Sequence, residues 1–318
     1  IAATSGRSFW ILDDLGLLRQ FKKEIPEFSI YAPESACLAN GRSELDKTDP
    51  DFTGMHGQAG VNPANGIVVY YHLPEIKPDE ILRLEIKDAA GNPVRSFSSK
   101  KDSLFKSWDG GPSEEPVLTT GKGLNRFVWN MRYSTMAGIP DAYFENSFAG
   151  HKAAPGTYVI TLKLNAREVS TRAEVLPNPL YPITPAVYDE YHRVMSAMEK
   201  ELHGMHLLVN SIHAKMEQLE QLLAALPAGD PYKSIHQEGQ ALVKKMKAWD
   251  EDMVQRKSKA YDDVENFPNK FTANYLFLIN QTESDIPRVN QPSLDLKREL
   301  DAEWAVLPGP PRSFDLAG

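Results

Sequence analysis

The feature that most restricts what this chain can fold into is a run of ten apolar residues in its second half. Met195, Met198, Leu202, Met205, Val209, Ile212, Met216, Leu219, Leu223 and Leu226 are spaced alternately three and four apart. That spacing marks one face of a helix and cannot be met by a strand, whose period is two. The helix has a clear start, with Ile183 as a hydrophobic staple, Thr184 as N-cap and Pro185 in the first turn. Pro227, Ala228 and Gly229 stop it, and Asp230-Pro231 opens a second helix with its seam at Ile235, Gly239, Leu242, Met246, Trp249 and Met253. A turn this short makes the two helices antiparallel neighbours. FTANYLFLINQT and SLDLKRELDAEWAVL add a third and a fourth helix, so residues 183–307 are expected to form an antiparallel helical bundle, with 308–318 as a tail.

The first half has the other period. Gly66 to Leu73 is an apolar run, Leu82, Leu84 and Ile86 alternate, and Ala89-Ala90-Gly91-Asn92 turns the chain into PVRSFSS as a hairpin. Further on, Phe127, Trp129 and Met131 share one strand face and Arg126, Asn130 and Arg132 the other. Ala154-Pro155-Gly156-Thr157 leads into Tyr158, Ile160, Leu162 and Leu164, and after Asn165-Ala166 the chain returns through Val169, Thr171, Ala173 and Val175. Six or seven short strands with turns between them predict an antiparallel β-sandwich over 66–177, joined to the bundle by the stiff linker around Pro177-Asn178-Pro179. The fold class expected is therefore α+β multidomain. Residues 21–65 have scattered Pro, Gly and Asp with no sustained period and read as an irregular connector.

Several function classes are disfavoured by the totals. A net charge of -8 over 318 residues argues against a nucleic-acid surface, which needs clustered Lys and Arg. Cys37 is the single cysteine, so neither an internal disulfide nor a cysteine zinc site can be built. No apolar run reaches the ~20 residues needed to span a bilayer.

GRSFWILDD near the start is a different kind of signal. Ser8, Trp10 and Leu12 fall on one face and Phe9 and Ile11 on the other, so both faces are apolar and a strand partner is needed; nothing before it suggests one. The stretch Thr4-Ser5-Gly6-Arg7-Ser8-Phe9-Trp10-Ile11-Leu12-Asp13-Asp14 resembles the segment that closes the propeller in bacterial sortilin-like proteins with BNR repeats, often labelled glycosyl hydrolases. Leu18-Arg19-Gln20 continues the likeness. So do the strand Gly123-Leu124-Asn125-Arg126-Phe127-Val128-Trp129-Asn130-Met131-Arg132 and the strand start Pro155-Gly156-Thr157-Tyr158. The hairpin from Ile86 through Asp88 and Gly91 to Val94 and Arg95 is similar to the Ig-like domain of flagellar hook-capping proteins. The resemblance implies that residues 1–20 are a remnant of the last propeller strand, that the parent protein is secreted or periplasmic, and that its own propeller is a partner. The sialidase-type S-x-D-x-G-x-T-W repeats of that propeller are not in this sequence, so a hydrolase label attaches to the parent and to no residue here.

The candidate sites are few. His192, Glu199, His206 and His213 recur every seven residues, with His203 four after Glu199, so Glu199, His203 and His206 could face one metal ion. Against this, the stripe flanks the apolar seam, where polar residues normally border a helix interface, and no second helix carries an E-x-x-H pair. No metal and no cofactor is therefore expected, and no catalytic residue is assigned. Adjacent acids such as Asp13-Asp14, Glu114-Glu115 and Asp262-Asp263 read as solvated surface. No G-x-S-x-G elbow and no phosphate-binding glycine loop occurs. The long loop from Ser134 to Ala154 is aromatic for a sandwich, and Tyr143, Phe144 and Phe148 are its candidate contacts for another protein or a glycan; the competing reading is a cover over the domain junction. The expected function is a non-catalytic structural and protein-interaction module of a sortilin-like propeller protein. The alternative is part of a glycosidase-like hydrolase whose site lies in the propeller.

Overall fold

The protein is described by a computed structural model covering residues 15–38, 64–227, 229–284 and 286–307, with the backbone of 2–3 and 9–10. The expectations for 39–63 and for the tail 308–318 lie outside these residues. The strands are β1 (Ala2–Ala3), β2 (Phe9–Trp10), β3 (Ser29–Ile30), β4 (Ala36–Cys37), β5 (Ile67–Leu73), β6 (Leu82–Asp88), β7 (Pro93–Ser98), β8 (Gly123–Trp129), β9 (Gly156–Leu164) and β10 (Arg167–Leu176). The helices are α1 (Leu15–Gln20), α2 (Pro185–Ala225), α3 (Lys233–Met253), α4 (Phe271–Thr282) and α5 (Gln291–Val306). The architecture is mixed α+β, with antiparallel sheets and several helices.

Five strands form one sheet in the order β4-β10-β9-β6-β7, antiparallel except for the edge pair β10–β4, and three form a curled second sheet, β3-β5-β8. Alternation explains the registers: Ile67, Val69, Tyr71 and Leu73 of β5 and Leu82, Leu84 and Ile86 of β6 are buried in one apolar core that draws on both sheets. Asp88 shapes the β6–β7 hairpin by accepting the main-chain N–H groups of Ala90 and Asn92, and Gly91 takes the left-handed φ of 89° that the turn requires. Part of the expected connector is regular, since β3 and β4 add edge strands to the two sheets.

β2 does have a preceding partner. Ala3 pairs with Phe9 and Ala2 with Trp10 in a two-stranded antiparallel ladder, which corrects the expectation that nothing upstream could supply one. The side chains of Phe9 and Trp10 and all of 4–8 and 11–14 lie outside the described residues.

The chain divides into two compact units, each built of segments that are not contiguous in sequence. One unit comprises residues 1–103, 115–134 and 152–188; the other comprises 104–114, 135–151 and 189–318. The second, helical unit therefore takes two segments from between the strands. Its core contains the α2 seam, with Met195, Met198, Leu202 and Val209 fully enclosed, and five residues of 135–151: Met136, Ile139, Ala142, Phe144 and Phe148. Along α3 the seam is only half used. Met246, Trp249 and Met253 are buried, whereas Ile235 is 51% exposed, although Gly239 in the next turn lies against Leu223 of α2.

Candidate functional site

The polar stripe of α2 is the strongest chemical feature of the helical unit. Glu199, His203, His206, Asn210 and His213 each follow an apolar seam residue by one position, about 100° further round the helix. They repeat the seam's own alternation of four and three, so they form a continuous polar edge beside the core. What they hold is the segment 135–151. His203 Nδ1 accepts the main-chain N–H of Ala137 at 3.0 Å, His206 Nδ1 donates to the carbonyl of Ala137 at 2.6 Å, and Asn210 Nδ2 donates to the carbonyl of Gly138 at 2.9 Å. Glu199 takes the far end. Its Oε1 accepts the main-chain N–H of His151 at 2.6 Å and its Oε2 lies 2.8 Å from His151 Nδ1.

His151 is the residue that sequence reasoning missed. Its ring is fully buried, edge-on to Tyr191, with Nε2 2.8 Å from His192 Nδ1, and Ser196 Oγ lies 3.3 Å from that same His192 nitrogen. The carboxylate fixes the proton on His151 Nδ1, so a second proton can sit on either side of the contact between the two imidazoles. A carboxylate, two imidazoles and a hydroxyl in series resemble a catalytic relay in composition. Their geometry differs, because the Ser196 hydroxyl and the His151 imidazole compete for one His192 nitrogen. No spacing rule links His151 to a glutamate 48 positions later. The available signal was the stripe itself, a polar edge beside a seam that needed a main chain to grip.

Comparison with protein-family models, with curated proteins and with solved structures returned no match.

His206 is the most perturbed group of the stripe. It lies against the rings of Phe144 and Phe148, its Nε2 has no hydrogen-bond partner, and burial lowers its pKa to about 4, opposed by the bond to Ala137 and assisted by His203. The three loop candidates separate here: Phe144 and Phe148 are in the core, and Tyr143 keeps partial exposure. Burial and the carboxylates of Glu145 and Asp109 raise the Tyr143 phenol. Residues 104–114 back the same segment, with Trp108 Nε1 donating to the carbonyl of Ala142. Gly110, at φ 70°, passes so close to Phe144 that a Cβ would stand 2.5 Å from its nitrogen.

On another face of α2, Glu201 and Asp301 both accept from the buried phenol of Tyr275, at 2.7 and 3.1 Å, and Lys297 reaches both carboxylates. Burial raises that phenol first, and the two carboxylates add to it. The network fastens α4 and α5 to α2. Of the remaining stripe histidines, His213 lies 3.7 Å from both Glu217 and Asp250, and Asp250 is held by Arg256 through two bonds of 2.5 and 2.7 Å. Among the described residues, no group of three or more His, Cys, Asp or Glu side chains could hold a metal ion, and no helix is long and apolar enough to cross a membrane. An open groove of about 780 Å³ between the C-terminal turns of α2 and α3 is lined by Leu223, Ala224, Val243, Lys244 and Lys247.

Proposed function

We propose that this chain is a non-catalytic structural and protein-interaction module, the C-terminal region of a secreted sortilin-like BNR-repeat propeller protein. In this reading it consists of an Ig-like β-sandwich and an antiparallel helical bundle, with the parent's propeller as its first partner. The observation that carries the non-catalytic reading is how the α2 stripe is used. Glu199, His203, His206 and Asn210, which have the composition of a reactive set, are engaged with the main chain of Ala137, Gly138 and His151.

The residues behind the resemblance are also core and turn residues. Trp129 of the G-L-N-R-F-x-W strand packs edge-on against Tyr158 of P-G-T-Y at 5.1 Å, with its Nε1 donating to the carbonyl of Arg132. Asp88 and Gly91 of the hook-capping-like hairpin shape its turn, and Arg95 donates to Glu115 and Asn130. Such residues specify a fold and leave the chemistry to other parts of a protein.

Two measurements test the reading. The reading frame upstream of Ile1 should encode propeller repeats and a signal peptide. Glycosidase and peptidase assays should find no turnover by residues 1–318 alone; turnover that is lost on Glu199→Gln would overturn the non-catalytic assignment and make the relay an active site.

A further inference from the structure

We propose that residues 135–151 form an acid-released strap of the helical unit: proton uptake by His203 and His206 opens the strap and bares Met136, Ile139, Phe144 and Phe148. The inference begins with the two bonds to Ala137. His203 can accept the Ala137 N–H only through a lone pair on Nδ1, so a protonated His203 presents a donor to a donor and the bond is lost. His206 already uses Nδ1–H on the Ala137 carbonyl, so a second proton must go to Nε2, which is buried without an acceptor. Both imidazoles are thus neutral when the strap is closed, and one amino-acid residue of backbone depends on both.

Other groups fasten the strap as well. From α2 the strap also meets Glu199 and His192, through His151, and the neutral Asn210. From the segment after α3, Lys259 Nζ donates to the carbonyl of Asp141, and α4 supplies the neutral Asn280, bonded to Ser147 in both directions. Asp109 of 104–114, with Tyr261 and Asp262, acts on Tyr143. Glu199 accepts two bonds from His151 and so fastens the far end of the same segment.

The sign follows from His206. Its pKa is about 4 in the closed state and returns toward 6.5 when the strap opens, so the open state binds more protons between those values. Closure is therefore fully favoured above pH 6.5 and weakens as pH falls toward 4. For each proton taken up, the open population rises by up to about tenfold per pH unit.

Hydrogen exchange of the full chain, read by region and corrected for the intrinsic rate, tests this between pH 7.5 and 5. Protection of 136–148 should fall by about tenfold per pH unit below 6.5 while β5 and β9 keep theirs. Equal protection of 136–148 at both ends of the range, or its loss only together with the strands, overturns the proposal. His206→Gln and His206→Leu should each flatten the dependence, because neither side chain titrates. His203→Gln, at an exposed position and able to accept the Ala137 N–H at every pH, should reduce the slope while keeping the fold. A slope unchanged in the variants that fold also overturns the proposal.

Discussion

In the sheet-rich unit the enclosed side chains sit mostly where alternation puts them: Ile67, Val69, Tyr71 and Leu73 on one strand, Tyr158, Ile160, Leu162 and Leu164 on another. In the helical unit the α2 seam behaves the same way, but Met136, Ile139, Ala142, Phe144 and Phe148 reach the core from a segment that has no period. The first core is made mainly by regular elements that meet one another, with Leu118, Met131 and Ala153 added from between them. The second is completed by an irregular strap, held to α2 through polar bonds spanning 48 to 72 positions of sequence. The difference is that an apolar seam recruits its cover by burial alone, whereas an irregular segment must also have its main-chain N–H and C=O groups satisfied when it is buried. The polar stripe next to the seam does that.

Replacing residues 136–148 by a Gly-Ser linker is the largest test of this contrast. Burial of a large apolar side chain stabilises by about 2 kcal/mol, so Met136, Ile139, Phe144 and Phe148 together represent about 8 kcal/mol, comparable to a whole domain's stability. The helical unit should lose its cooperative transition in denaturant while the strands retain theirs. If both units melt as in the parent chain, the strap is dispensable and the comparison fails.

Trp129→Ala comes next, at about 3–5 kcal/mol, since the indole is fully enclosed against Tyr158. Urea unfolding followed in the sheet-rich unit measures it, and a cost below about 1 kcal/mol would show that this core is looser than its registers indicate. The two ends of α3 then sharpen the picture within one helix. Met246→Ala should cost about 2–5 kcal/mol, and Ile235→Ala less than about 1, because only the first is enclosed although both stand on the same heptad seam. Equal costs by thermal melting would mean that the start of α3 is covered in solution.

The smallest expected effect is none. A chelator should leave the melting curve unchanged, since Glu199, His203 and His206 hold backbone instead of an ion. A chelator-induced fall restored by zinc would return the stripe to a metal role.

The histidine stripe also shows how far the candidate site was legible. Its residues and their spacing can be read from the sequence, and so can the argument that it borders an interface. What it grips cannot, because His151 and Ala137 precede it by dozens of residues in a loop without a motif. Tyr143, Phe144 and Phe148 stand out as aromatic, yet composition does not distinguish a surface for a partner from a face turned inward. The rings of Phe144 and Phe148 pack on each other and on His206, which is a tertiary fact.

The sequence by itself determined the two periods, the start of α2 at Thr184-Pro185, the β6–β7 turn and the inward face of β8, because each follows from neighbours within a few positions whose geometry is local. Only the tertiary structure decided which chain segments share a core, that β2 pairs with Ala2–Ala3, that α3 buries only its later turns, and that a glutamate, two histidines and an asparagine on one helix edge fasten a strap. The physical reason is the same in each case. Period states which face of an element must be buried, but the partner that buries it is chosen by contacts between distant parts of the chain, and those leave no repeat in the sequence.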